Sequence, residues 1–219
     1  MYQPEHFKVE DRGLMHSLMR TRPFATLVSA GRLGLYATPL PTVLKDEGVH
    51  GVIECHLARA NPHWKDLAQI GADGGEGLII FQGIDGYITP SWYPSKAENQ
   101  KVVPTWNYAA VHAYGRPAIM EDATWKRCHV AELTDQQERG RSVPWSVSDA
   151  PEDYVQVMLR GIVGFRFEIA RLEGKWKMSQ NRNAQDRAGV ARSLVDRGEW
   201  HDAEMAELVS SPSARPARW

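Results

Sequence analysis

Hydrophobic and polar positions in the first half of the chain alternate more often than they recur at helical spacing. Phe24-Ala25-Thr26-Leu27-Val28-Ser29 predicts a strand, Gly31 to Gly34 a turn, and Leu35 to Leu44 the returning strand. Pro39 and Pro41 inside that return have no N–H for a ladder. They place it at an edge, at a bulge, or facing something other than a strand. Before it, Val9, Leu14, Leu18 and Met19 with charges between them predict a short amphipathic helix over 8–20, ended by Pro23. Val49 to Leu57 is a third strand. Asn61-Pro62 then opens a helix running to about Ile70, since Asn caps well and Pro suits a first turn. Gly71 to Gly77 is a loop. Gly77 to Gln82 and Tyr87 to Tyr93 follow as two strands, 94–104 as a polar loop, and Thr105 to Met120 as a long strand.

The pattern changes after Glu121. Trp125 to Arg139 has helical spacing, and Ser148-Asp149-Ala150-Pro151-Glu152-Asp153 starts a second helix reaching Arg160. In Gly164 to Ala170, Phe165, Phe167 and Ile169 alternate with Arg166 and Glu168, which predicts a half-buried strand continued by Trp176 and Met178. Gln185 to Arg197 is helical, and the tail 210–219 is expected to fray. Six or seven antiparallel strands with short connections, then helices, predict an α+β, mainly β chain whose sheet curls into a barrel. Residues 1–209 are expected to form one domain.

With 219 residues the chain has enough mass for a self-sufficient core, and 42% hydrophobic against 24% charged is an ordinary globular balance. The 26 basic and 27 acidic side chains leave a net charge of −1. A protein that grips DNA by its phosphates usually carries a basic excess, so direct DNA binding is unsupported. Cys55 and Cys128 form no disulfide framework or zinc spacing, and no signal sequence or membrane span is visible. A cytoplasmic protein is expected.

Four stretches carry candidate chemistry. In His56-Leu57-Ala58-Arg59-Ala60-Asn61-Pro62-His63 a strand gives way to a helix N-terminus, whose free N–H groups suit a phosphate, with Arg59 beside it. The plain alternative is an Asn-Pro cap with a solvated Arg. Ser91-Trp92-Tyr93-Pro94-Ser95-Lys96 and Thr105-Trp106-Asn107-Tyr108 combine aromatics with small polar groups. These suit the walls around a flat conjugated ring, or equally a subunit interface. Lys175-Trp176-Lys177-Met178-Ser179-Gln180-Asn181-Arg182 concentrates donors for phosphate or ribityl hydroxyls, or is a solvated strand end. No nucleophile motif or Walker loop is present, and His56 and His112 are the histidines best placed to titrate.

Taken together, these runs resemble the PaiB family of FMN-binding proteins, described as negative transcriptional regulators. The resemblance extends from Met1-Tyr2-Gln3-Pro4 and Arg22-Pro23-Phe24-Ala25-Thr26-Leu27-Val28 to Ser179-Gln180-Asn181-Arg182. It includes Ala58-Arg59-Ala60-Asn61-Pro62, Pro90-Ser91-Trp92-Tyr93-Pro94-Ser95-Lys96 and Val103-Pro104-Thr105-Trp106-Asn107-Tyr108. It implies a split antiparallel β-barrel related to pyridoxamine-phosphate oxidases, with peripheral helices and a helical C-terminal part, and a homodimer with FMN at the interface. It places His56, Ala58, Arg59 and Asn61 around the phosphate, Thr38, Pro39 and Leu40 along the isoalloxazine ring, and His112 on a strand that lends a side chain to the flavin. Ser91, Trp92, Lys96, Trp106, Asn107, Gln180, Asn181 and Arg182 complete the expected cofactor set. The chain departs from the family at Thr38-Pro39-Leu40-Pro41, where a His-Leu-Pro-Leu-like run is expected, and at Ile84-Asp85, where Pro-His is expected. The implied role is regulation through flavin redox state or a small effector. An FMN-dependent oxidoreductase fed by NAD(P)H is the alternative, and a haem-handling barrel using His56 or His112 a second.

Overall fold

The computed structural model describes residues 1–212; the expected frayed tail lies outside the described residues from 213 onward. After a one-turn 3-10 segment at Glu5–Phe7 come β1 (Lys8–Val9) and α1 (Arg12–Thr21). Asp11 caps α1 by accepting from the Leu14 N–H at 3.1 Å, so the helix begins later than its apolar spacing predicts. A hairpin follows, β2 (Phe24–Gly31) and β3 (Gly34–Pro41), then β4 (Val43–Lys45), β5 (Val52–Ala58) and α2 (His63–Ala72). Next come β6 (Gly77–Ile88), α3 (Lys96–Asn99), β7 (Thr105–Met120), α4 (Ala123–Glu138), α5 (Glu152–Arg160), β8 (Ile162–Lys177), α6 (Ala184–Arg197) and α7 (Asp202–Ser210).

The strands form one sheet in the order β3-β2-β6-β7-β8-β5-β4, with β1 paired to β8. The β2–β3, β2–β6, β4–β5, β5–β8 and β1–β8 pairs are antiparallel. This is the α+β split-barrel class. The strand with two prolines, β3, ends the order and pairs only with β2, Pro39 opposite Thr26 and Pro41 opposite Phe24. The neighbouring Thr42 N–H donates to the Pro23 carbonyl at 2.9 Å, towards the β2 side; N–H direction alternates along a strand, so Pro39 and Pro41 have their missing N–H on the side away from β2 and the ladder loses nothing.

Two expectations change. Gly77–Gln82 and Tyr87–Tyr93 are not separate strands; β6 runs unbroken from Gly77 to Ile88, and Tyr93 follows a 3-10 turn at Pro90–Trp92. Gly83, which resembles a turn residue in sequence, is instead a point of close packing: a Cβ there would lie 2.8 Å from Leu18 Cδ1 and 3.0 Å from Ala109 Cβ. The second is α7, which the sequence pattern does not mark. Its cap, His201, has φ 71° and no side-chain capping bond, so the usual start signal is missing.

The chain divides into two compact units. The first comprises Met1–Arg22, Gln82–His112 and the residues from Glu173 onward; the second comprises Pro23–Phe81 and Ala113–Leu172. In the first, Leu18, Ile88, Trp176, Met178, Val190 and Leu194 are fully buried. In the second, Leu27, Ile53, Leu67, Ile79, Phe81, Phe165 and Phe167 are. Among the described residues no helix is long and apolar enough to cross a membrane.

Candidate functional site

Seven of the sixteen candidate side chains lie in the second unit: Thr38, Pro39, Leu40, His56, Ala58, Arg59 and Asn61. Two of these, Thr38 and Asn61, meet through a residue that sequence reasoning passed over. His63, the first residue of α2, is fully buried. Its Nδ1 lies 2.8 Å from Thr38 Oγ1 and its Nε2 2.9 Å from Ser29 Oγ, while Asn61 donates to Thr38 Oγ1 at 3.3 Å. Ser29 in turn donates to Asp66 at 3.4 Å. Because Ser29 gives its only proton to Asp66, it accepts from His63 Nε2–H. The neutral ring then accepts from Thr38 at Nδ1. Burial lowers the His63 pKa, partly offset by Asp66, which keeps the ring neutral. Asp66 also accepts from the Arg32 N–H at 2.7 Å, so this chain of bonds pins the β2–β3 turn to α2.

Arg59 commits four of its five guanidinium N–H groups. Its guanidinium donates to both Glu121 oxygens at 2.9 and 2.6 Å, to the Arg160 carbonyl at 2.9 Å and to the Ile162 carbonyl at 3.0 Å. Asn61 accepts from the His63 N–H at 3.0 Å, but the cap position of α2 is Pro62, one residue later than the Asn-Pro pattern predicts. His56 Nδ1 lies 3.0 Å from Nε2 of His129, whose ring stacks on Trp125 at 5.2 Å. Burial, with His56 and Lys45 nearby, lowers the His129 pKa to about 3. Leu40 is a core residue, while Pro39 and Ala58 are exposed.

The other nine candidates lie in the first unit, where two cavities border Tyr93. The larger, about 660 Å³, lies between the 91–100 segment and α6. It is lined by Ser91, Trp92, Lys96 and Gln100 from one side and by Arg192 and Ser193 from the other. Lys96 Nζ donates to Ser91 Oγ at 3.2 Å. The smaller, about 140 Å³, is lined by Val103, Thr105, Lys177, Ser179, Asn181 and Arg182 as well as Tyr93. Each cavity has two cations in its wall, and among the described residues neither has an acidic one.

The small cavity is shaped by a locked bend at the end of β8. Ser179 sits in the left-handed region, φ 62°, which a non-glycine residue rarely adopts. The buried Asn107 amide donates to its hydroxyl at 3.0 Å. Gln180 braces the bend, accepting from the Met178 N–H and donating to the Trp176 carbonyl, both at 2.6 Å. Arg182 stacks over the Tyr93 ring at 4.6 Å. Burial, then the Lys175 and Arg182 charges, push the Lys177 pKa down. Trp106, directly after Thr105, is 54% exposed and meets the exposed Tyr87 ring edge-on at 6.0 Å. His112 is half-buried on β7, its pKa lowered chiefly by burial. Lys177, Ser179, Tyr93 and Arg192 are among the lining residues left out of the sequence-derived set. The first three sat inside motifs already noted, but their roles depend on a backbone bend that sequence does not display.

Residues 1–171 match the family described as "Putative FMN-binding domain". The chain is 32% identical over 212 residues to "Protease synthase and sporulation protein PAI 2" of Bacillus subtilis, covering 95% of this chain and 96% of that protein. Among solved structures, the FAD and heme binding protein from Mycobacterium smegmatis superposes with a TM-score of 0.57 at 17% identity, over 88% of this chain and 80% of that one. Flavocytochrome Anf3 from Azotobacter vinelandii gives 0.57 at 14%, over 89% and 77%. At such identities the likeness is one of fold.

Proposed function

Since this chain belongs to the FMN-binding domain family and FMN is its cofactor, we propose that it is a PaiB-like flavin switch. It acts as a homodimer that responds to redox state or a small molecule and influences transcription without gripping DNA itself. The observation that carries this reading is the pair of carboxylate-free, cation-bearing cavities on either side of Tyr93. Their donor set answers each part of FMN. Lys and Arg suit the phosphate, Ser, Asn and Gln the ribityl hydroxyls, and the exposed Trp106 and Tyr87 a flat ring. The buried Tyr93 hydroxyl, beside Arg182 and Ser179, supplies a further polar group at the small cavity.

Bound FMN supplies reversible electron transfer; the protein's share is to hold it and set its surroundings. Lys96 and Arg192 place positive charge in the larger cavity, and Lys177 and Arg182 in the smaller. In the second unit, Thr38, braced by His63 and Asn61, offers a fixed hydroxyl for orienting a ligand group. Indirect regulation is favoured because the cations line cavities in a chain of net charge −1. The haem reading draws less support, because His56 Nδ1 is engaged with His129 Nε2 at 3.0 Å.

The test is a titration of full-length protein with FMN, followed by flavin fluorescence and by sedimentation. Saturable quenching in a dimer is expected. A monomer that leaves FMN fluorescence unchanged would sink the proposal. Adding NADPH or NADH to the flavin-loaded protein separates the two roles: rapid bleaching with turnover indicates an oxidoreductase, and an unbleached flavin indicates a sensor. Tight, salt-dependent DNA retention by the dimer would overturn the indirect mode of regulation.

A further inference from the structure

We infer that the second unit carries a site for a small zwitterion, an α-amino acid with an apolar side chain. The site is a cavity of about 540 Å³ on the outward face of β5, β7 and β8. It does not rest on the flavin reading. Val52 borders it at one end of β5, whereas the strand-to-helix junction at Ala58 and Arg59 lies at the other end, about 20 Å away at the rise of a strand. A space of this size, mostly apolar with a few charged groups converging on it, suits one small molecule.

Alternation along the strands builds the floor. Phe165 and Phe167 of β8 turn inward and are fully buried, so Arg166 and Glu168 turn outward. Glu168 stands opposite Val52, and Arg166 opposite Glu54. Arg116, Ala118 and Met120 of β7 join the same face, so the floor between the charges is Val52, Ala118 and Met120. The end of α2 makes a firm side: a Cβ on Gly71 would lie 2.1 Å from the Pro117 carbonyl oxygen, so helix and strand meet there backbone to backbone. Glu47 and Gly48, from the β4–β5 connection, complete the wall.

The wall charges balance, two arginines against two glutamates, but only some are paired. Arg166 donates to Glu47 and lies 3.5 Å from Glu54. Arg116 and Glu168 are left over: among the described residues, neither side chain makes a hydrogen bond or an ion pair. Opposite charges on neighbouring strands attract when they face each other. Here they flank an apolar floor without pairing. A molecule with one carboxylate and one ammonium answers both, the carboxylate on the Arg116 fork and the ammonium on Glu168, while its side chain covers the floor. A ligand of one sign leaves one of the two unanswered.

The test is calorimetric titration of the full-length protein with L-phenylalanine, 3-phenylpropanoate, phenethylamine and glycine. Saturable binding of L-phenylalanine is expected, with weaker binding of the two analogues that lack one charge and none of glycine, which has both charges but no side chain. Arg116→Gln should weaken L-phenylalanine about three- to thirtyfold, between an exposed and a well-made charged contact, and leave phenethylamine unchanged. Glu168→Gln should weaken L-phenylalanine within the same range and leave 3-phenylpropanoate unchanged. Both side chains are exposed, so the variants keep the core, and an unchanged urea midpoint verifies it. Arg116→Lys and Glu168→Asp should recover part of the affinity. The proposal falls if neither L-phenylalanine nor L-leucine saturates the wild type at millimolar concentration. It falls equally if both folded glutamine variants bind L-phenylalanine as the wild type does, or if glycine or a one-charge analogue matches it. Added FMN should not displace L-phenylalanine; displacement would merge the cavity with a flavin site and remove the proposal. A wild type that binds no FMN ends the flavin reading and leaves this test intact.

Discussion

Four histidines, His56, His63, His112 and His129, have their pKa lowered in the folded chain, chiefly by burial. The unfolded chain takes up a proton at each near its model value of 6.5, whereas the folded chain resists. The unfolded state therefore binds more protons below about pH 6.5, and stability falls as pH drops through that range. His129, with a folded pKa of about 3, keeps contributing furthest down. His56 and Lys45 are the charged neighbours that deepen its shift, and Lys45 is itself paired with Glu132 and Glu54. Urea unfolding at pH 7 and pH 5 should show a clear loss at the lower value. His129→Gln should flatten the dependence by up to about 1.4 kcal/mol per pH unit; parallel curves for the two proteins would remove His129 from the account. His63→Ala leaves the Ser29 and Thr38 hydroxyls without their ring and should cost about 2–4 kcal/mol by the same measurement. Thr38→Val, at the half-exposed end of the chain of bonds, should cost less.

At the scale of elements, β7 and β8 pack backbone against backbone at Gly115. A Cβ there would lie 2.1 Å from the Glu168 carbonyl oxygen and 2.8 Å from the Phe167 ring, so backbone must move to admit it. Gly115→Ala should destabilise by about 1–3 kcal/mol, read as a lowered urea midpoint with its slope unchanged. Most elements were legible because period and punctuation agreed. The strand over Thr105–Met120 has the same bounds in sequence and structure, and Asn61-Pro62 announces α2. The failures have local causes. The break expected between Gln82 and Tyr87 does not occur, since Gly83 answers tight packing within β6, and α7 starts from a left-handed histidine without a side-chain cap. The site was legible as a set of residue types and much less as a geometry. Thr38 and Asn61 could be named, but not the buried His63 that joins them. Likewise Asn181 and Arg182 were visible, while the cavity they border is shaped by the left-handed backbone at Ser179, which Asn107 bonds.

For the molecule as a whole, a cofactor that binds only the folded chain adds stability by mass action. At a hundred times its Kd, FMN contributes about 2.7 kcal/mol. In a chain of 219 residues each kcal/mol moves Tm by about 2–4 °C, so a rise of roughly 5–10 °C is expected in a thermal scan. Riboflavin at the same concentration should give a smaller rise, and an equal one would count against phosphate recognition. Two prolines in β3 also matter at this scale. A terminal strand exposing Leu35, Ala37 and Pro39 is the kind of surface onto which a stray strand, or another unfolded chain, would add itself. Pro39 and Pro41 offer such a visitor no donors over the last third of the strand, and their rings obstruct its approach. The edge therefore carries its own guard against fibrous growth, and swapping both prolines for valine should make the protein prone to aggregate on warming.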